Sequence, residues 1–160
     1  MRIIGKSALL LMLGASLAAG GEPKPDLSGT WIFNPAKSRL EMDPPTKMIW
    51  AIEQRDPKIT TTSTRTWKGG VDDSRPGTGT TIDGKEHYKK DGEDESWSRH
   101  YWMGEELVWE WKIVRGGEKG TIVVHYRLAD GGKTFVAAEW QHTPGQLHHN
   151  LWVFDREPEE

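Results

Sequence analysis

No cysteine occurs among the 160 residues of this chain. That single absence removes disulfides, thiolate metal ligands and cysteine nucleophiles together. The fold has to be held by its core alone, which is feasible for a domain of about 140 residues, where well over half of the unfolded surface is buried. Other features are missing too. No stretch reads as a helix long enough for a βαβ crossover, and no internal repeat appears beyond a regular strand period. There is no H-E-x-x-H, C-x-x-C or G-x-S-x-G, so neither a zinc hydrolase nor a serine nucleophile elbow is indicated. The glycines between Arg75 and Thr80 are followed by no helix, which a phosphate loop would need. Excess positive charge is also lacking. The formal net charge is −3, and removing Arg2 and Lys6 with the leader described next makes it −5. A mildly acidic chain argues against nucleic acid or an anionic membrane as partner.

Residues 1–20 have the layout of a secretory signal peptide. Arg2 and Lys6 precede an apolar run from Ala8 to Leu13, and small residues follow from Gly14 to Gly20. Cleavage is expected after Ala18 or Gly20. The apolar run is too short to span a bilayer, and no cysteine stands at the cleavage point to take a lipid anchor. The expected mature protein is residues 21–160, one domain by length, periplasmic or secreted, with no integral membrane segment.

What is abundant is tryptophan, with nine residues, beside eighteen glycines and nine prolines. Short segments rich in aromatic and β-branched residues, separated by frequent turns, describe an all-β domain. Leu27 to Asn34 is the first strand. Gly29 lets another backbone pass close by, and Trp31, pointing to the same face, can plug one end of a barrel. Asn34 and Pro35 then open one short helical turn as cap and first residue. Met48, Trp50 and Ile52 share one face of the next strand, and the threonine-rich run from Lys58 to Trp67 is a further strand. Lys68 to Gly79 reads as the longest loop, and Asp83-Gly84 as a tight hairpin turn.

The second half is more regular. Glu95 to Trp102 is a strand. From Glu106 to Arg115 the alternation is clean, with Leu107, Trp109, Trp111 and Ile113 on one face and Glu110 and Lys112 on the other. Gly116-Gly117, Asp130-Gly131-Gly132 and Thr143-Pro144-Gly145 then separate three more strands. Together with the first half this makes an antiparallel up-and-down β-barrel of eight to ten strands, because closure removes the two exposed edges of a meander.

Ser28-Gly29-Thr30-Trp31 resembles the Gly-x-Trp of the lipocalin and calycin superfamily. Arg156, after Trp152-Val153-Phe154-Asp155, resembles that group's basic residue at the end of the last strand. The resemblance implies that Arg156 stacks on Trp31 as a cation–π pair, and makes Gly29, Trp31 and Arg156 structural residues. The wider pattern of Ser28 to Trp31, Asn34, Lys37-Ser38, the Asp83-Gly84-Lys85 turn and the terminal Val153-Phe154-Asp155-Arg156 is similar to small exported lipocalin-like barrels of soil bacteria. The chain departs from typical lipocalins in lacking cysteine and a Thr-Asp-Tyr turn. The resemblance implies the fold and the binding of a small molecule.

An eight-stranded barrel can be filled by side chains or hold one small ligand. If Trp109, Trp111, Leu107 and Ile113 face inward, they form an aromatic wall for an apolar or aromatic ligand, with Trp140, Tyr126 and His149 completing the candidate site. Alternatively these rings fill the barrel as core. A two-residue turn at Pro144-Gly145 pairs His142 with Leu147, Trp140 with His149 and Gln141 with His148. His142 and His149 on adjacent strands then offer a metal or haem alternative. Glu139, whose face the pattern leaves open, is a candidate general acid or base beside a histidine, with Arg99 or Arg127 as possible partner. The leading reading is non-enzymatic, with no cofactor, no metal and one small molecule as partner. Carboxylates in turns, such as Asp91 to Glu95, read as solvated surface rather than a calcium loop.

Overall fold

The computed structural model describes residues 23–70 and 72–158, with Pro76 described by its backbone alone. The expected signal peptide therefore lies outside the described residues. Ten strands form one antiparallel sheet: β1 (Gly29–Phe33), β2 (Lys47–Arg55), β3 (Lys58–Thr66), β4 (Asp72–Thr81), β5 (His87–Asp91), β6 (Asp94–Met103), β7 (Glu106–Arg115), β8 (Glu118–Ala129), β9 (Thr134–Thr143) and β10 (Gln146–Arg156). Their order is β4-β3-β2-β1-β10-β9-β8-β7-β6-β5. The chain is thus an up-and-down meander in which the first strand pairs with the last. Each turn from β5 to β10 carries a glycine at positive φ, from Gly92 to Gly145, which lets two residues, or four between β8 and β9, reverse the chain without a Cβ clash.

The sheet curls until strands far apart in order touch across the interior. Trp50 on β2 meets Tyr126 on β8 and Phe135 on β9, with ring centroids 5.7 and 5.5 Å apart. On the other side Thr80 Oγ1 of β4 lies 3.3 Å from His100 Nδ1 of β6. No ladder joins β4 to β5, so the barrel has a seam there and two edges remain. Closure therefore does not remove the edges, as expected of a full barrel. Asp83-Gly84 makes a turn, but it does not connect a paired hairpin. Gly84 N–H instead donates to the His100 carbonyl at 2.9 Å and Ile82 N–H to the Pro57 carbonyl at 2.6 Å.

One local expectation is corrected and another is met. Asp72 to Gly79 is not loop but most of β4. As an edge strand, β4 tolerates Pro76 and Gly77 because they fall at a bulge, where the register with β3 slips between Thr61 and Ser63. A Cβ at Gly77 would stand 2.9 Å from Thr60 Cγ2, so the close approach itself requires glycine. After β1 the expected short turn forms. Asn34 Oδ1 caps it by accepting from Lys37 N–H at 3.1 Å, and Ser38 N–H donates to the Pro35 carbonyl at 3.3 Å. The one 3-10 helix among the described residues is Asp130–Gly132.

One end of the barrel is plugged. Trp31, Leu27, Phe135, Phe154 and Leu107 are fully buried there. Trp31 Nε1 donates to the Leu27 carbonyl at 3.0 Å, its ring lies 5.3 Å from Phe135, and Arg156 Cζ sits 4.2 Å above it. The guanidinium is held by the Gly132 carbonyl at 2.9 Å and the Ser28 carbonyl at 3.0 Å. Gly29 is needed because a Cβ would collide with Arg156 and because its φ is +143°.

Candidate functional site

Ladder register sorts the interior side chains into cross-strand rows. Trp102, Leu107, Tyr126, Ala137 and Trp152 make one row, and His100, Trp109, Val124, Glu139 and Asn150 the next. Beyond them Ser98, Trp111, Ile122, Gln141 and His148 line up, and Ile113 stands opposite Gly120 one row further. The interior therefore changes character along its axis. Rows near the plug are apolar and buried; rows away from it mix half-buried aromatics with polar groups.

Of the residues expected at the site, Leu107, Trp109, Trp111, Ile113 and Tyr126 share this concave face. Trp140 and His149 do not. They pair with each other on the outer face of β9 and β10, where Trp140 is 45% exposed. The Pro144-Gly145 turn holds two residues, and period-2 alternation then sends His142, Leu147 and His149 outward with Trp140. His125 also faces out, edge-to-face with Trp140 at 5.3 Å between ring centroids and with its Nδ1 2.8 Å from Glu106 Oε2. The His142 and His149 pair thus stands outside the barrel, away from any interior group. Among the described residues no three His, Cys, Asp or Glu side chains converge as a metal site.

The concave wall is built from stacked rings. Trp109 lies 6.2 Å from Trp111 with planes 24° apart, and His100 lies 6.0 Å from Trp109 at 14°. Successive inward positions of β7, with a cross-strand partner from β6, bring the flat faces into register. Burial, followed by the charge of His87, lowers the His100 pKa to about 4, so this imidazole is neutral near pH 7. Trp109 and Trp111 are only half-buried. Two surface clefts, of about 360 and 580 Å³, flank the β8–β9 turn outside the barrel and reach neither tryptophan.

Glu139 faces inward. Its Oε1 accepts from Asn150 Nδ2 at 2.7 Å, and no histidine bonds it. The arginines expected beside it point elsewhere. Arg99 forks onto Glu110 Oε2 on the outer face at 2.7 and 3.1 Å, with Tyr101 Oη donating to Oε1 at 2.9 Å. Burial pushes Glu110 up, but those hydrogen bonds outweigh it and hold the carboxyl below its ordinary value. Arg127 is exposed. The arginine that does reach the interior is Arg65 of β3, which sequence reasoning missed because it sits in a threonine run with little apolar alternation. Burial and then Arg75 pull its pKa down, while the charges of Asp73, Glu139 and Tyr126 oppose that shift. Burial, then Glu139, raises the Tyr126 phenol.

The chain is similar in structure to secretory abundant heat soluble protein 4 from Ramazzottius varieornatus, at TM-score 0.51 and 11% identity, over 82% of this chain and 95% of that one. A second secretory abundant heat soluble protein from that organism matches at TM-score 0.51 and 10% identity, over 80% and 93%. The likeness shows the fold alone, an antiparallel up-and-down β-barrel. The fatty-acid-binding protein of Manduca sexta lies further off, at TM-score 0.48 and 13% identity, over 79% and 98% of the two chains. No family model and no curated protein sequence matches the chain.

Proposed function

We propose that the protein is an exported, non-enzymatic binder of a small apolar or aromatic molecule held inside the barrel. One observation carries this reading: His100, Trp109 and Trp111 form a stacked, half-buried aromatic wall on the concave face. Half-exposed ring faces retain apolar surface that a flat ligand removes from water, at roughly 25 cal/mol per Å². Leu107 and Val124, buried on the same face, pack beside the rings and hold them in place. Export rests on the leader pattern of residues 1–20 and places the protein in the periplasm or medium.

A native mass spectrum of the protein from its own host tests both parts. Extra mass that is lost on denaturation, and that a Trp109→Ala/Trp111→Ala variant no longer carries, supports the binder. A bound mass retained by that folded variant refutes the site. An intact Met1 on protein recovered outside the cytoplasm refutes cleavage after Ala18 or Gly20.

A further inference from the structure

The chain has six histidines, and what their ring nitrogens touch divides them. Among the described residues His87 is bonded to Asp83, His100 to Thr80 and His125 to Glu106. His148 shares the inward row of Gln141. His142 and His149 face outward, are exposed, and have neither a hydrogen bond nor an ion pair through the ring. Two imidazoles without partners therefore stand on the same face of one hairpin.

The hairpin sets their separation. Thr143 and Gln146 close its two-residue turn, and the turn's own hydrogen bond makes them a bonded pair, from which the ladder alternates. His142 with Leu147 and Trp140 with His149 are then both non-hydrogen-bonded pairs, the kind in which side chains come closest. His142 and His149 are diagonal neighbours across these two pairs, with Cβ atoms about 7 Å apart or less. The corresponding diagonal between β8 and β9 is in contact. There His125 pairs with Ala138, and its ring meets that of Trp140, two residues further on, at 5.3 Å. The same contact draws the Trp140 ring toward β8 and away from β10. A metal ion bound to nitrogen at about 2.0 to 2.1 Å fits between two imidazoles at that spacing, because each ring nitrogen reaches well beyond its Cβ.

The surroundings suit a cation. The outward positions adjoining the pair hold Thr121, Val123, Trp140 and Leu147, none of them a base. Lys112, one strand over, is tied to Glu86 at 2.8 Å. Glu41 brings its carboxylate to the His149 backbone N–H at 2.8 Å. Among the described residues no third His, Cys, Asp or Glu side chain converges with the two, which leaves the remaining coordination positions to water.

We propose that His142 and His149 form a two-imidazole site for a divalent transition-metal ion on the outer face of the barrel, with Cu(II) preferred. Imidazole suits copper, nickel and zinc alike, and where the protein imposes no geometry Cu(II) binds more tightly than Ni(II) or Zn(II). Two donors on one hairpin exceed either alone, because the second closes at high effective concentration. The site lies on the opposite face of β9 and β10 from the aromatic wall, so it stands or falls independently of ligand binding in the interior.

The test titrates Cu(II), Ni(II) and Zn(II) into the purified protein, with equilibrium dialysis to count bound metal and tryptophan fluorescence to locate it. One Cu(II) per chain should bind saturably ahead of any weaker site, and more tightly than Ni(II) or Zn(II). His142→Asn and His149→Asn should each weaken it about tenfold, whereas His87→Asn and His125→Asn should leave it unchanged. Bound Cu(II) quenches a neighbouring indole, so Trp140→Phe should retain the metal and lose part of the quench. All these positions are on the outer surface, and circular dichroism checks that each variant is folded. Absence of saturable Cu(II) binding overturns the site, as does an affinity untouched by both His142→Asn and His149→Asn. A loss in only one of those two variants overturns the pairing, and a quench undiminished in Trp140→Phe places the ion elsewhere and overturns it as well.

Discussion

Trp31 and Trp111 face the same interior, yet one is sealed and the other is half open. Trp31 is completely buried, bonded to Leu27 and covered by Arg156. Trp111 stands two strands from β5, where the ladder ends, and its neighbours along the row are Ser98 and Ile122. The difference is not one of residue type or alternation. It arises from what the tertiary structure lays over each ring: residues 23–28 and the last strand at one end, and a seam at the other. The plugged end supplies stability, and the open wall is where binding surface remains.

The largest effect expected from this contrast is at the plug. Trp31→Ala should cost about 4 kcal/mol of folding stability, measured by urea unfolding, because a large ring is removed from a packed site. A loss below about 1 kcal/mol would break the distinction. The next effect is a pH dependence. The His100 pKa is depressed from 6.5 to about 4 in the fold, so the unfolded chain binds the proton more readily. Stability is then fully present above the unfolded pKa and declines as pH falls from 6.5 to 4, by about 2 kcal/mol after allowance for solvent screening of a partly buried ring. His100→Phe keeps a ring beside Trp109 but cannot titrate. Its unfolding free energy should lose that slope, and an unchanged slope would assign the effect to another group.

Smaller changes sharpen the contrast between inside and outside. Trp111→Ala should weaken phenylnaphthylamine binding about tenfold, near 1.4 kcal/mol, in a fluorescence titration. Trp140→Ala, on the outer face, should leave that titration unaltered and shift stability by no more than about 0.5 kcal/mol. Equal losses from the two substitutions would mean that binding is not confined to the interior.

Strand alternation and glycine turns were enough to read the fold class and much of the interior. The clean pattern from Leu107 to Ile113 and the turn at Pro144-Gly145 fix the two faces, since period 2 and a two-residue turn leave one register. The same rule, applied through to Trp140 and His149, places them outside; their aromatic and imidazole chemistry made them attractive, but side-chain type does not decide facing. β4 was hidden because proline and two glycines read as loop, and only an edge position with a bulge makes such a sequence a strand.

By itself the chain determined its meander, its turns and which residues of β7 share a face, because these depend on backbone geometry a few residues long. Only the tertiary structure decided the seam between β4 and β5 and the burial of Arg65 opposite Tyr126. Those depend on strands brought together from distant parts of the chain, and no local pattern carries the distance between opposite walls of a barrel.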